Sequence, residues 1–185
     1  MNLKAQVRDL LKVIATAVLI CFALALGLVV IIAILLPHKS PPKEKQVIQD
    51  FYAHRAAYER LRNMLLEDKG LVQVGSWGVE TTSPIGMSKP PAGNFPLDRY
   101  NAYLALLNET GAAGAFRGRE DPPEFVGVLV YASGWAGDTR HVEICWLDRE
   151  PPNLVVSLDD FYKTPKPRKP VFRRVDGNWY LWADW

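Results

Sequence analysis

Apolar positions fall into two regimes in the first third of the chain. Val13 to Leu36, VIATAVLICFALALGLVVIIAILL, is a run of 24 residues without a charge. Beyond it, Val47, Phe51, His54, Tyr58, Leu61 and Leu65 recur at alternating spacings of four and three. That spacing predicts one stripe of a single helix, with Arg55, Glu59, Arg62 and Glu67 in water. Gly70 reads as the residue that closes the helix, with Leu71 folding back in a Schellman contact. LVQVGSWGVE alternates weakly and predicts one strand. Residues 81–97 hold four prolines and two glycines, which predicts a long loop. DRYNAYLALLNETG predicts a second helix. Asp98 is its N-cap, Tyr100, Tyr103, Leu104 and Leu107 its apolar face, and Gly111 its end.

The period then changes to two. EFVGVLVYASG and RHVEICWLD predict strands joined through GWAGDT. NLVVSLDDFY carries a short apolar run. VFRRV and NWYLW flank Asp176–Gly177, the preferred pair for a type I′ hairpin turn. A turn centred there sets Arg174 opposite Trp179, Arg173 opposite Tyr180 and Phe172 opposite Leu181. Phe172, Trp179 and Leu181 are then core. Tyr180 and Trp182 lie on the other face, where Arg173 can stack on a ring. Helices first and antiparallel strands after predict an α+β fold. Two helices pack on one face of a mostly antiparallel sheet that ends in a β-hairpin.

The long apolar run changes the picture of the whole chain. About 20 apolar helical residues cross a bilayer core of ~30 Å, and residues 13–36 suffice with some tilt. The run is too long for the hydrophobic part of a cleaved signal peptide, and no A-x-A site follows. VLIC at Cys21 lacks the small residue of a lipoprotein cysteine. The expectation is an uncleaved signal-anchor at 13–36 after a short tail at 1–12, then a proline-rich tether at 37–44 and a soluble domain at 45–185. Lys4, Arg8 and Lys12 precede the span, and Lys39, Lys43 and Lys45 follow it, so the positive-inside count is nearly even. The short tail favours an N-inside orientation, with the domain outside the cytoplasm at the cell membrane.

Composition adds limits. The net charge of +2 is too mild to argue nucleic-acid binding by itself, and no nucleic-acid partner is expected. The two cysteines, Cys21 and Cys145, supply no disulfide framework within the domain. No G-x-S-x-G, H-E-x-x-H, P-loop or dinucleotide fingerprint occurs, and no cofactor is implied. Asp159–Asp160 is an acid pair of the kind that sits in a turn or cap.

Three groups of residues could carry chemistry. His54 lies on an apolar stripe, either as a packed histidine or as a catalytic base, and Arg55 beside it forms an i,i+4 pair with Glu59. His141, Glu143 and Cys145 alternate along one strand, a fair ligand set by type. They span ~13 Å, so the outer two do not reach one ion, and no metal site is expected. The bland alternative is a half-exposed sheet face. Lys163, Lys166, Arg168, Lys169, Arg173 and Arg174 lie in a stretch without an acid, among prolines that hold it extended. They predict a positive patch at one edge of the hairpin, facing anionic lipid or an envelope polymer, or else a solvated loop.

FYAHRAAYERLRNMLLEDKGLVQV, RYNAYLALLNETGAAGAF, SLDDFY and VDGNWYLW, in that order over most of residues 48–182, resemble a group of small uncharacterised bacterial proteins. These are lipoproteins or membrane-anchored proteins with a domain held outside the cytoplasm. The most specific pieces are the His-Arg, the Asp-Lys-Gly-Leu and the Asn-Trp-Tyr-Leu. The chain departs from the lipoprotein members in lacking a lipobox, and RHVEICW is not a close match. The resemblance implies an exported location and brings no activity. Two function classes follow. One is a membrane-anchored domain that binds a protein partner or an anionic envelope component. The other is a small envelope hydrolase using His54 or His141.

Overall fold

The computed structural model describes residues 18–27, 41–82, 85–90, 94–118, 125–133, 140–163 and 170–184. The chain divides into two units, Met1–Ser40 and Pro41–Trp185. In the first, residues 18–27 form helix α1 with exposed side chains. The rest of the expected span at 13–36 lies outside the described residues. Among the described residues no helix is long and apolar enough to cross a membrane.

The second unit is α+β. In chain order it contains α2 (Glu44–Ala53), α3 (Arg55–Glu67), β1 (Leu71–Gly75), β2 (Gly78–Thr82), β3 (Ile85–Ser88), α4 (Leu97–Thr110), β4 (Gly114–Arg117), β5 (Phe125–Ser133), β6 (Arg140–Leu147), α5 (Leu158–Tyr162), β7 (Val171–Asp176) and β8 (Trp179–Asp184). The strands form one sheet in the order β3-β2-β1-β4-β5-β6-β8-β7, with antiparallel pairing throughout.

One face of the sheet carries the core. Val74, Val79, Ala115, Val126, Val128, Val142, Ile144, Trp179, Leu181 and Ala183 point to it, and the helices bring Phe51, Tyr58, Leu61, Leu65, Tyr103, Leu107 and Leu158. Its aromatic centre is Phe51, whose ring lies 5.4 Å from both Tyr58 and Trp179. Edge and tilted contacts of this kind add to what area burial alone supplies.

Several expectations are corrected. The first helix is two, broken at His54, whose φ of −118° and ψ of 23° are not helical. One non-helical residue left both apolar faces on the same sheet, so the spacing of four and three survived the break. Asp68 rather than Gly70 caps α3, its N–H donating to the Met64 carbonyl at 2.9 Å. Pro96, not Asp98, precedes α4, and Asp98 sits in its first turn. Gly111 does close α4, at φ 66°. LVQVGSWGVE is a hairpin of β1 and β2 turning at Ser76–Trp77, and the expected loop contains β3. β4, within GAAGAF, carried too little alternation to be seen. The unit also begins earlier than residue 45, since Glu44 opens α2.

The terminal hairpin is one residue out of the expected register. Asp176 pairs with Trp179, a bulge follows, and Arg174, Arg173 and Phe172 face Tyr180, Leu181 and Trp182. Gly177 has φ 53° and no described non-glycine residue has positive φ. A type I′ turn needs two such residues, so the loop is Gly177–Asn178 instead. The bulge moves Phe172 to the face away from the helices and places Arg174, not Arg173, over the Tyr180 ring at 5.5 Å. Trp179 and Leu181 are core as expected, and Trp185 lies outside the described residues.

Candidate functional site

The described basic residues, Lys163, Arg173 and Arg174, point in different directions. Arg173 faces the helices, where its Nε bonds Glu44 Oε1 at 2.9 Å and the Val156 carbonyl at 3.1 Å. Arg174 points to the opposite face and pairs with Glu150. Lys163 follows α5 and pairs with Asp160 at 2.7 Å. Each described cation of the set thus has an acid partner, and the two arginines alternate across an edge strand. Lys166, Arg168 and Lys169 lie outside the described residues.

Glu44 is the hub of this corner. Its Oε2 accepts from the Leu158 N–H at 2.6 Å, while its own N–H donates to Asp159 Oδ1 at 3.2 Å. Two helix N-termini thereby cap each other, supplying acceptors for N–H groups that no helix can satisfy internally. Asp159 and Asp160 occupy the first turn of α5, and Ser157 is its N-cap.

His54 is half-buried at the helix break. No hydrogen bond or ion pair of its side chain is found among the described residues. Arg55 bonds Glu59 at 3.0 Å and reaches Asp176 in the terminal turn. Its side chain is 43% exposed, so these pairs orient the hairpin more than they stabilise it. A second polar cluster joins the end of α3 to α4. Asp68 Oδ2 accepts from Arg99 Nε and from the Tyr103 hydroxyl, both at 2.8 Å. Burial, then the Asp68 carboxylate, push the Tyr103 hydroxyl well above the ordinary phenol range.

The sheet face without helices is half-buried at His141, Trp182 and Asp184 and closed at Glu143, Cys145 and Tyr180. Alternation puts His141, Glu143, Cys145, Tyr180, Trp182 and Asp184 on it. Glycines let rings lie flat against the sheet: a Cβ at Gly75 or Gly114 would meet Trp77 at 2.5 Å, and one at Gly127 would meet Phe116 at 2.4 Å. Cys145, Leu147 and Tyr180 form a second buried cluster with Phe125, Phe172 and Trp182 around them. Cys145 is fully buried, and burial, then Glu143, push its thiol well up. A buried thiol with its proton held on is a weak nucleophile.

Glu143 is the unusual group. It is 4% exposed, and its Oε2 has no hydrogen-bond partner among the described residues. It sits opposite Trp182 and diagonal to Asp184, which is paired with His141. The His141 ring stacks near Trp182 at 6.5 Å and 16°. Burial, reinforced by Asp184, pushes the Glu143 carboxyl up to about 8. Among the described residues no group of three His, Cys, Asp or Glu could hold a metal ion. The alternation of RHVEICW placed His141, Glu143 and Cys145 on one face. Asp184 was missed, although its alternation with Trp182 and Tyr180 was visible, because only strand pairing brings it to His141.

Comparison with protein families, curated proteins and solved structures finds no match.

Proposed function

We propose that the protein is a single-pass membrane-anchored protein whose α+β unit is held outside the cytoplasm and binds a partner or an anionic envelope component. The observation that carries the reading is the run of 24 residues without a charge, Val13–Leu36, ahead of a unit that begins at Pro41. The described part of that run, residues 18–27, is helical with its apolar side chains exposed, as a lipid-facing helix would have them. The resemblance to exported anchored proteins agrees with it. Binding rather than chemistry is favoured because Cys145 is fully buried with its thiol pushed well up by burial. The anionic contact is proposed for the basic stretch Lys163–Arg174, of which Lys163, Arg173 and Arg174 are already ion-paired.

A second reading, a small hydrolase using His141, draws on one observation, the placement of His141 opposite Asp184 on neighbouring strands, beside a carboxyl raised to about 8. A carboxyl that burial keeps protonated is the raw material of general acid chemistry.

Reporters fused after Trp185 test the anchored reading. An export-dependent reporter is expected to be active and a cytoplasm-dependent one silent. The reverse pattern would place the unit in the cytoplasm and overturn the proposal.

A further inference from the structure

We propose that Glu143, Asp184 and Trp182 form a recognition site for a small organic cation bearing a protonated primary amine, on the helix-free face of the sheet. The inference is independent of the membrane anchor. It starts from the Oε2 of Glu143, which is buried and has no hydrogen-bond partner among the described residues. Buried polar groups are almost always satisfied, so an orphan acceptor asks what donates to it. Three features choose the donor.

The first is charge. Asp184 lies diagonal to Glu143 across β6 and β8, and its charge adds to burial in raising that carboxyl. An anion would add to that repulsion. A neutral donor would satisfy Oε2 and gain nothing from Asp184. A cation answers both carboxyl groups at once. The second is the kind of cation. No three-ligand metal set exists among the described residues, whereas an ammonium needs only acceptors at hydrogen-bond distance and carries three donors. The third is the wall. Trp182 stands directly opposite Glu143, and an indole attracts an ammonium through its ring face or covers an alkyl stem. Trp182, His141 and Asp184 are all half-buried, so the buried oxygen is one side chain below the surface. β6 and β8 are interior strands, so access needs side-chain rotation and leaves the backbone in place.

Binding carries a proton balance. The amine arrives protonated, Glu143 releases its proton to solvent, and the resulting carboxylate accepts from the ammonium. Affinity therefore rises as pH climbs toward 8. The groups facing Glu143 are His141 and Cys145 on its own strand and Tyr180 and Asp184 on β8. β5 presents Leu129 and Gly127 there. Arg174 on β7 is held by Glu150 and the Tyr180 ring.

The test uses the full chain in lipid nanodiscs. n-Butylammonium chloride is titrated while tryptophan emission is followed, with sodium chloride and 1-butanol as controls and Trp182→Phe to assign the signal. A saturable change is expected for butylammonium alone. It should tighten several-fold from pH 6 to pH 8 and weaken at least tenfold in Glu143→Gln and in the more exposed Asp184→Asn. The proposal fails if butylammonium gives no saturable response, if butanol matches it, or if both variants bind as the parent does. A water on Oε2 as its only partner would give the first of these results.

Discussion

A carboxyl group that keeps its proton when folded ties stability to pH with a definite sign. The Glu143 carboxyl titrates near 4.5 when solvated and at about 8 in the fold. Between those values the unfolded chain releases the proton and the folded chain holds it. The contribution is complete below about 4.5, and stability then declines as pH rises to about 8, at up to ~1.4 kcal/mol per pH unit. Glu143→Gln removes this dependence and keeps the shape. Urea midpoints at pH 5, 6.5 and 8 are expected to fall in the parent and to fall much less in the variant, with the variant the more stable at pH 8. Parallel profiles would mean that the carboxyl is solvated. Periodicity showed which face Glu143 points to, but not that the face is closed. Next to it Cys145, Leu147 and Tyr180 form a buried cluster with Phe125, Phe172 and Trp182, contacts between separate strands that no local pattern encodes.

At the level of elements, legibility followed the strength of the local signal. β5, β6, β7, β8 and α4 have clean periods, and their positions are as the sequence predicts. The His54 break, the β1–β2 turn and β4 were invisible because a single non-helical residue, a two-residue turn and a strand of four residues barely disturb a pattern. The register of β7 against β8 was misjudged by one, because a bulge between Arg174 and Asp176 leaves no mark on composition. The junction of α3 and α4 shows what such gaps conceal. In the sequence Asp68 stands out only as part of the Asp-Lys-Gly-Leu piece. Its carboxylate binds Arg99 and Tyr103 together. Charge-assisted bonds that leave partners unsatisfied when cut cost about 1.5–3 kcal/mol. Asp68→Ala should destabilise by about that amount in chemical denaturation. A double variant with Arg99→Ala should lose less than the sum of the single losses. Strict additivity would show that the pair is not coupled.

At the level of the whole molecule, the boundary of the folded unit is set by Glu44. A fragment beginning at Lys45 discards a residue that caps α5, is capped by Asp159 and holds Arg173. The fragment Pro41–Trp185 is therefore expected to be more stable than Lys45–Trp185 by ~1–3 kcal/mol, the scale of losing a cap and a partly buried charged partner. Equal thermal midpoints for the two would show that the corner is held by packing alone.

The same corner has a mechanical meaning. A pull on the chain ahead of Pro41 enters the unit at Glu44, where α2 is fastened to α5 and to the edge strand β7. The force is then shared between the start of the folded sequence and its last hairpin, and the fastenings must slide apart together before α2 can peel away. A domain wired this way would lose α2 under tension only once the bonds of Glu44 to Leu158 and Arg173 have given way.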